Sequence, residues 1–212
     1  MQKLKIKVCG MTDPENMQAV CRHRPDYIGY IFFRKSARYV GDDPDPLLFS
    51  DVPPGIQKTA VFVNEKYERV IELTNRYDIP VVQMHGMESP ETCRALQLHG
   101  RKVIKVFPGD QLTNRELLRD YEGLADYFLF DTPVISYGGS GRKFDWSGLQ
   151  RLQSSMPFFL SGGIAVDDVQ QLKELEMPGL YAADINSRFE TEPGIKDPEL
   201  VGEFIKRMRN EE

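Results

Sequence analysis

The chain has 212 residues, enough to bury a full core in one domain, and its 41% hydrophobic and 28% charged residues are ordinary for a soluble globular protein. A net charge of −5 with no run of lysine or arginine argues against a nucleic-acid surface, and three scattered cysteines argue against a disulfide framework or a zinc site. No apolar segment is long enough for a signal peptide or a membrane span, which points to the cytoplasm.

The first apolar run, LKIKVC (4–9), alternates Ile6 and Val8 with Lys5 and Lys7. That pattern predicts a half-buried strand. Asp13, Pro14 and Glu15 then read as N-cap, first helical position and first-turn acid, so Cys9 and Gly10 sit where a strand hands over to a helix. Similar apolar, β-branched runs follow at 26–33, 56–63, 79–84, 102–107, 126–131, 156–161 and 179–185. Helical patterns lie between most of them. Asn64 reads as an N-cap for Tyr67, Val70, Ile71 and Thr74, and Ser89-Pro90 opens a helix within 88–98. Residues 165–175 and 197–208 repeat the pattern, whereas four prolines in 41–55 permit only a short helix.

Eight strands alternating with about eight helices, roughly 26 residues per unit, predict an α/β fold with a parallel sheet closed as a (β/α)₈ barrel, one catalytic domain over residues 1–212. A doubly wound open sheet would want a glycine-rich turn after the first strand, and CGMTDPEN is not one. In a barrel the chemistry belongs on the loops after the strands. Those strand ends carry Cys9, Arg38, His85, Asp131, Ser161-Gly162-Gly163 and Asp184 to Ser187.

The glycine-rich loops YGGSGRKFDW (137–146) and SGGI (161–164), with DINSRFE (184–190), follow strands six, seven and eight. Loops after strands seven and eight are where barrels often hold a phosphate on backbone N–H groups. Cys9 is open to two readings, an inert buried thiol or a thiolate base, the second needing a nearby cation or helix N-terminus. Asp131 reads either as a turn former before Pro133 or as an acid facing Cys9 across the barrel. His85 rivals Cys9 as base, and Arg38 could fork onto a carboxylate.

Taken in order, KVCGMTDPEN, DYIGYIFFRKSARYV, VFVNE, VQMHG, LFDT, GGSGRKFDW, LSGGI and DINSRFETEPGIKD resemble the phosphoribosylanthranilate isomerase family of tryptophan biosynthesis over essentially the whole chain. The resemblance implies a cofactor-free, metal-free (β/α)₈ barrel that rearranges N-(5'-phosphoribosyl)anthranilate to 1-(2-carboxyphenylamino)-1-deoxyribulose 5-phosphate. It implies Cys9 as general base, Asp131 as general acid and Arg38 as the anthranilate carboxylate's partner. It also implies a phosphate site from Gly138, Gly139, Ser140, Gly141, Ser161, Gly162, Gly163, Asp184, Asn186 and Ser187. The positive end of the helix after Cys9 is expected to lower its thiol. The implied partner is this small phosphosugar, with no nucleic acid or membrane, and a monomer is the expected assembly. Rival readings are a histidine-pathway phosphosugar isomerase and a non-catalytic phosphosugar-binding barrel. Arg188 stands where the family pattern has glycine, and it reads either as a solvated rim residue or as an added contact to the substrate.

Overall fold

The computed structural model describes residues 3–111, 113–131, 146, 152, 154–175 and 177–211. Eight parallel strands close into a barrel in chain order: β1 (Lys5–Cys9), β2 (Tyr27–Ile31), β3 (Gln57–Phe62), β4 (Val81–Met84), β5 (Lys102–Pro108), β6 (Tyr127–Asp131), β7 (Phe158–Leu160) and β8 (Leu180–Ile185). Around it run α1 (Pro14–Cys21), α2 (Leu47–Ser50), α3 (Tyr67–Arg76), α4 (Pro90–Leu98), α5 (Arg115–Tyr121), α6 (Val169–Glu174) and α7 (Pro198–Arg209). A short antiparallel hairpin, β9 (Glu190–Glu192) and β10 (Ile195–Lys196), follows β8.

Helix starts obey their local chemistry. Asp13 accepts from the Asn16 N–H at 2.7 Å with Pro14 in the first turn, Ser89 accepts from Thr92, and Asp197 accepts from Glu199 and Leu200. The four-residue α2 is all that the proline-rich 41–55 segment supports. Asn64 departs from expectation. It sits at φ 52° and gives its side-chain oxygen to the Met87 N–H, three residues ahead of a helix that has no side-chain cap. The loop after β4 competes for the Asn64 side chain and wins it.

Closing the sheet creates two cores, because each strand is covered on both faces. The larger lies between barrel and helices and takes Ile6 and Val8 of β1 with Ile28, Phe62, Val82 and Phe130. The smaller fills the barrel interior with Tyr27, Val81, Ile104, Val106, Leu129, Phe159 and Ala182, with Tyr127 and Tyr181 packed against them. Alternation on β1 therefore turns Lys5, Lys7 and Cys9 into the barrel. Lys7 is fully buried, so β1 is not half-buried in the way the alternation of its sequence suggests.

A second buried charge ties down the loop after β4. Glu88 accepts from the N–H groups of Asn64 and Gly86, and Lys105 of β5 donates to Glu88 at 2.8 Å and to the Gly86 carbonyl at 2.6 Å. Gly86 is essential to this closure: a Cβ there would lie 2.7 Å from the Asn64 backbone nitrogen, which cannot move aside as a side chain could. Gly86→Ala is expected to lower stability by about 1–3 kcal/mol through overpacking, read as a lowered midpoint in urea unfolding. An unchanged midpoint would show that the loop gives way without cost.

Candidate active site

The polar residues at the C-terminal ends of the strands converge on one pocket. Cys9, Gln83, His85, Asp131, Ser161, Gly162, Gly163, Asp184, Asn186, Ser187 and Arg188 line it, and Ile31, Phe33, Val61, Val63 and Ile164 give it an apolar wall. The empty space among these residues, open solvent at the mouth included, is about 720 Å³.

Cys9 ends β1, in register with Gly29 of β2, and a Cβ on Gly29 would come within 2.8 Å of the sulfur. Two residues back on the same face, Lys7 donates to Asp184 Oδ1 at 2.8 Å. The β1–β8 register sets these two residues side by side. Lys7 precedes Cys9 by two residues on the same face of β1, so its charge lies on the interior side of the sulfur. Burial holds the Cys9 thiol above its ordinary value; Lys7 and Lys196 pull against that rise without cancelling it, and Asp184 adds to it. The opposing pull includes two buried lysines that the sequence reading did not single out. Lys7 itself titrates above its ordinary value, because Asp184 and the thiol outweigh the cost of its burial.

Across the pocket, His85 Nε2 stands 3.5 Å from Asp131 Oδ2. Gln83, two residues before His85 on the same strand face, reaches His85 Nδ1 at 3.2 Å. A donor at Nδ1 leaves the proton of the neutral ring on Nε2, facing Asp131. His85 is therefore placed as an orienter of Asp131, away from the Cys9 side of the pocket.

Arg38 does not line the pocket. Its Nε and Nη2 clamp Glu190 with contacts of 2.8, 3.0 and 2.6 Å, so one edge of its fork is filled from within the protein. Lys196 binds the same carboxylate and also donates to Asn186 Oδ1 at 2.6 Å. Burial lowers Lys196 to about 8 in spite of Glu190. The hairpin carrying both residues is strapped to α1, where Asn16 exchanges two 2.8 Å hydrogen bonds with the Lys196 backbone. Its turn, Glu192-Pro193-Gly194-Ile195, has glycine at φ 94°, as a Pro-Gly turn requires.

Ser161–Gly163 and Asn186–Arg188 face the pocket from neighbouring strand ends. The Ser161 N–H is used by the Phe130 carbonyl, whereas those of Gly162, Gly163, Ser187 and Arg188 donate to no described acceptor. Arg188 is exposed and lines the mouth. Gly138, Gly139, Ser140 and Gly141 lie outside the described residues. Sequence reading missed Lys7, Gln83, Glu190 and Lys196. Period-two alternation from His85 would have found Gln83, and the Pro-Gly turn would have found the hairpin. Nothing local marks Glu190 as Arg38's partner, 152 residues away.

Burial alone would raise the Glu190 carboxyl, but Arg38 and Lys196 outweigh it and hold it below its ordinary value. A carboxylate held low contributes stability above the unfolded pKa of about 4.3, and that stability is lost as pH falls through the folded value. Glu190→Gln is therefore expected to cost about 3–5 kcal/mol at pH 7, as for breaking a buried pair. Chemical denaturation should show that gap narrowing as pH drops below about 4. A gap independent of pH would mean that the carboxylate's charge contributes nothing.

Residues 6–207 match the family model described as N-(5'phosphoribosyl)anthranilate (PRA) isomerase. A relative from Parabacteroides distasonis, named N-(5'-phosphoribosyl)anthranilate isomerase, is 41% identical over 204 residues, 96% of this chain and 92% of its own. The crystal structure of phosphoribosyl anthranilate isomerase from Thermus thermophilus is similar with a TM-score of 0.85 and 25% identity, covering 98% of this chain and 99% of that one. An isomerase in complex with reduced 1-(o-carboxyphenylamino)-1-deoxyribulose 5-phosphate gives a TM-score of 0.81 and 27% identity over the same shares.

Proposed function

The chain belongs to the N-(5'-phosphoribosyl)anthranilate isomerase family, and on that premise we propose how its own residues carry the reaction. The reaction is the aldose–ketose (Amadori) isomerisation of N-(5'-phosphoribosyl)anthranilate in tryptophan biosynthesis. One observation supports the assignment most directly: Cys9 of β1 and Asp131 of β6 line a single pocket with the loops after β7 and β8.

Asp131, protonated, donates to the ribose ring oxygen, and the furanose opens to an iminium. The Cys9 thiolate then takes the C2' proton, giving an enolamine that tautomerises to the ketone. Each proton moves between a positioned side chain and the substrate, as general acid–base catalysis requires. His85 holds Asp131 in place from Nε2. The phosphate lies against Ser161, Gly162, Gly163, Asn186 and Ser187, where the Gly162, Gly163 and Ser187 N–H groups meet no described acceptor, with Gly138, Gly139, Ser140 and Gly141 as further donors in our reading. Asp184, with one oxygen held by Lys7, forms part of the floor. The apolar wall of Ile31, Phe33, Val61 and Val63 suits an aromatic ring.

Arg38 reaches the anthranilate carboxylate through its Nη1 edge, which has no partner among the described residues, while Glu190 fixes the other edge. We read residues 1–212 as one catalytic domain working in the cytoplasm as a monomer. No helix among the described residues is long and apolar enough to cross a membrane. The exposed large hydrophobics Leu47, Met87 and Leu98 sit on separate segments rather than in one patch.

Fluorescence-monitored loss of phosphoribosylanthranilate is the direct assay. Cys9→Ser is expected to fold normally and lose about 10²–10⁴-fold in kcat, since a hydroxyl is a far poorer source of a base at neutral pH. Asp131→Asn keeps shape but not the transferable proton, so kcat should collapse with KM little changed. Near wild-type kcat for Cys9→Ser, alongside an inactive His85→Asn, would move the base to His85.

A further inference from the structure

We propose that Lys7 is a positioning residue of the reaction: buried two residues before Cys9 on the same face of β1 and locked against Asp184, it places a positive charge beneath the sulfur that eases loss of the thiol proton. The proposal rests on reading Cys9 as the base.

Lys7 occupies a costly place. It is fully buried inside the barrel, below the floor of the pocket, and does not itself line the pocket. A lysine in such a position needs a partner, and Asp184 supplies one at 2.8 Å. A structural plug would need nothing more. Yet Lys7 also lies directly beneath the catalytic sulfur, which is two residues on along the same strand face.

The charged groups around Cys9 can be followed element by element. β1 brings Lys7, β8 brings Asp184 and β10 brings Lys196. β2 brings only the bare Gly29, and the Arg38 stem packs over Gly10 with its charge turned to Glu190. Asp131 and His85 face the same space from β6 and β4. Of all these, Lys7 exerts the largest pull against burial. Without that pull, a nearly enclosed sulfur would hold its proton more tightly still and be a scarcer base.

The pairing also explains why the cation is not alone. When the thiolate accepts the C2' proton, its negative charge disappears from beside Lys7. Asp184 remains, so the lysine is never left unpaired at the moment the product forms, and the thiol can release its proton again. A lone lysine would bind the thiolate more tightly and weaken it as a base.

The test reads the sulfur directly. The full-length protein is alkylated with iodoacetamide across pH 5 to 10, and Cys9 labelling is followed by peptide mass spectrometry, so that Cys21 and Cys93 do not interfere. The plateau of the rate reports access to the sulfur; its midpoint reports ionisation. Lys7→Met is expected to raise the midpoint by about one unit or more, a tenfold loss of thiolate at pH 7. The acid limb of kcat/KM should move with it. Asp184→Asn should lower the midpoint. Should Lys7→Met leave Asp184 too poorly paired to fold, Lys7→Met/Asp184→Asn removes both charges, and its midpoint should still lie above wild type. An unmoved midpoint in Lys7→Met, or an unmoved or lowered one in the double variant, overturns the proposal. A midpoint that moves while the kcat/KM limb stays fixed leaves the Lys7–thiol coupling standing and overturns the reading of Cys9 as base.

Discussion

Three cations and two carboxylates are shut beneath the mouth of the barrel, and everything at the site is arranged around keeping them paired. Lys7 holds Asp184; Arg38 and Lys196 share Glu190. Each of these side chains is at most a tenth exposed. Charges so placed destabilise a fold unless their partners are held at hydrogen-bonding distance. The parallel register does this for Lys7 and Asp184, as residues facing each other across β1 and β8. The hairpin after β8 does it for the other three. The set carries one more positive than negative charge.

That arrangement links recognition to rigidity. Arg38 lies after β2, Glu190 and Lys196 on the hairpin, and Asn186 at the edge of the pocket; Glu190 holds Arg38 and Lys196 holds Asn186, so the two together tie three segments. With its Nε–Nη2 edge fixed, the guanidinium plane can turn little, and the remaining edge is presented in one orientation. The energy that orders the arginine has been spent in folding rather than in binding. On the opposite side, Glu88 and Lys105 do the same for the loop behind His85. The apolar wall needs no such fastening, because strand backbones already place Ile31 and Val61.

How much of this could be read in the sequence follows from the range of each interaction. Strand positions, the Asp13 and Ser89 caps and the short α2 come from contacts within a few residues, and local pattern predicts them. Cys9, Asp131 and the glycines after β7 stand out as candidates because a barrel puts chemistry at strand ends, a rule of the fold rather than of the neighbourhood, and the structure brings them to one pocket. The failures have one cause. Lys7 was assigned to a strand with only one buried face, since alternation shows which residues share a face and not how many faces are covered. Its partner lies 177 residues away. Asn64 looked like a cap because its own helix is near, whereas the competing Met87 N–H is 23 residues distant.

The cysteine's surroundings follow from the same geometry. A barrel strand buried on both faces leaves its last interior residue at the edge of a low-dielectric space, which favours the neutral form of a thiol. Exposing the sulfur would lower its pKa but open the pocket to water. Placing a cation below the sulfur, on the same strand and out of contact with substrate, lowers the pKa without opening the pocket. Only the position two residues earlier points to the same face at that depth, and Lys7 occupies it. The cost of burying that cation is then met by the adjacent strand, whose register makes residue 184 the natural place for the carboxylate. The sequence KVC on β1 and the aspartate at the end of β8 are thus one device, divided between the first strand and the last because closing the barrel makes those two strands neighbours.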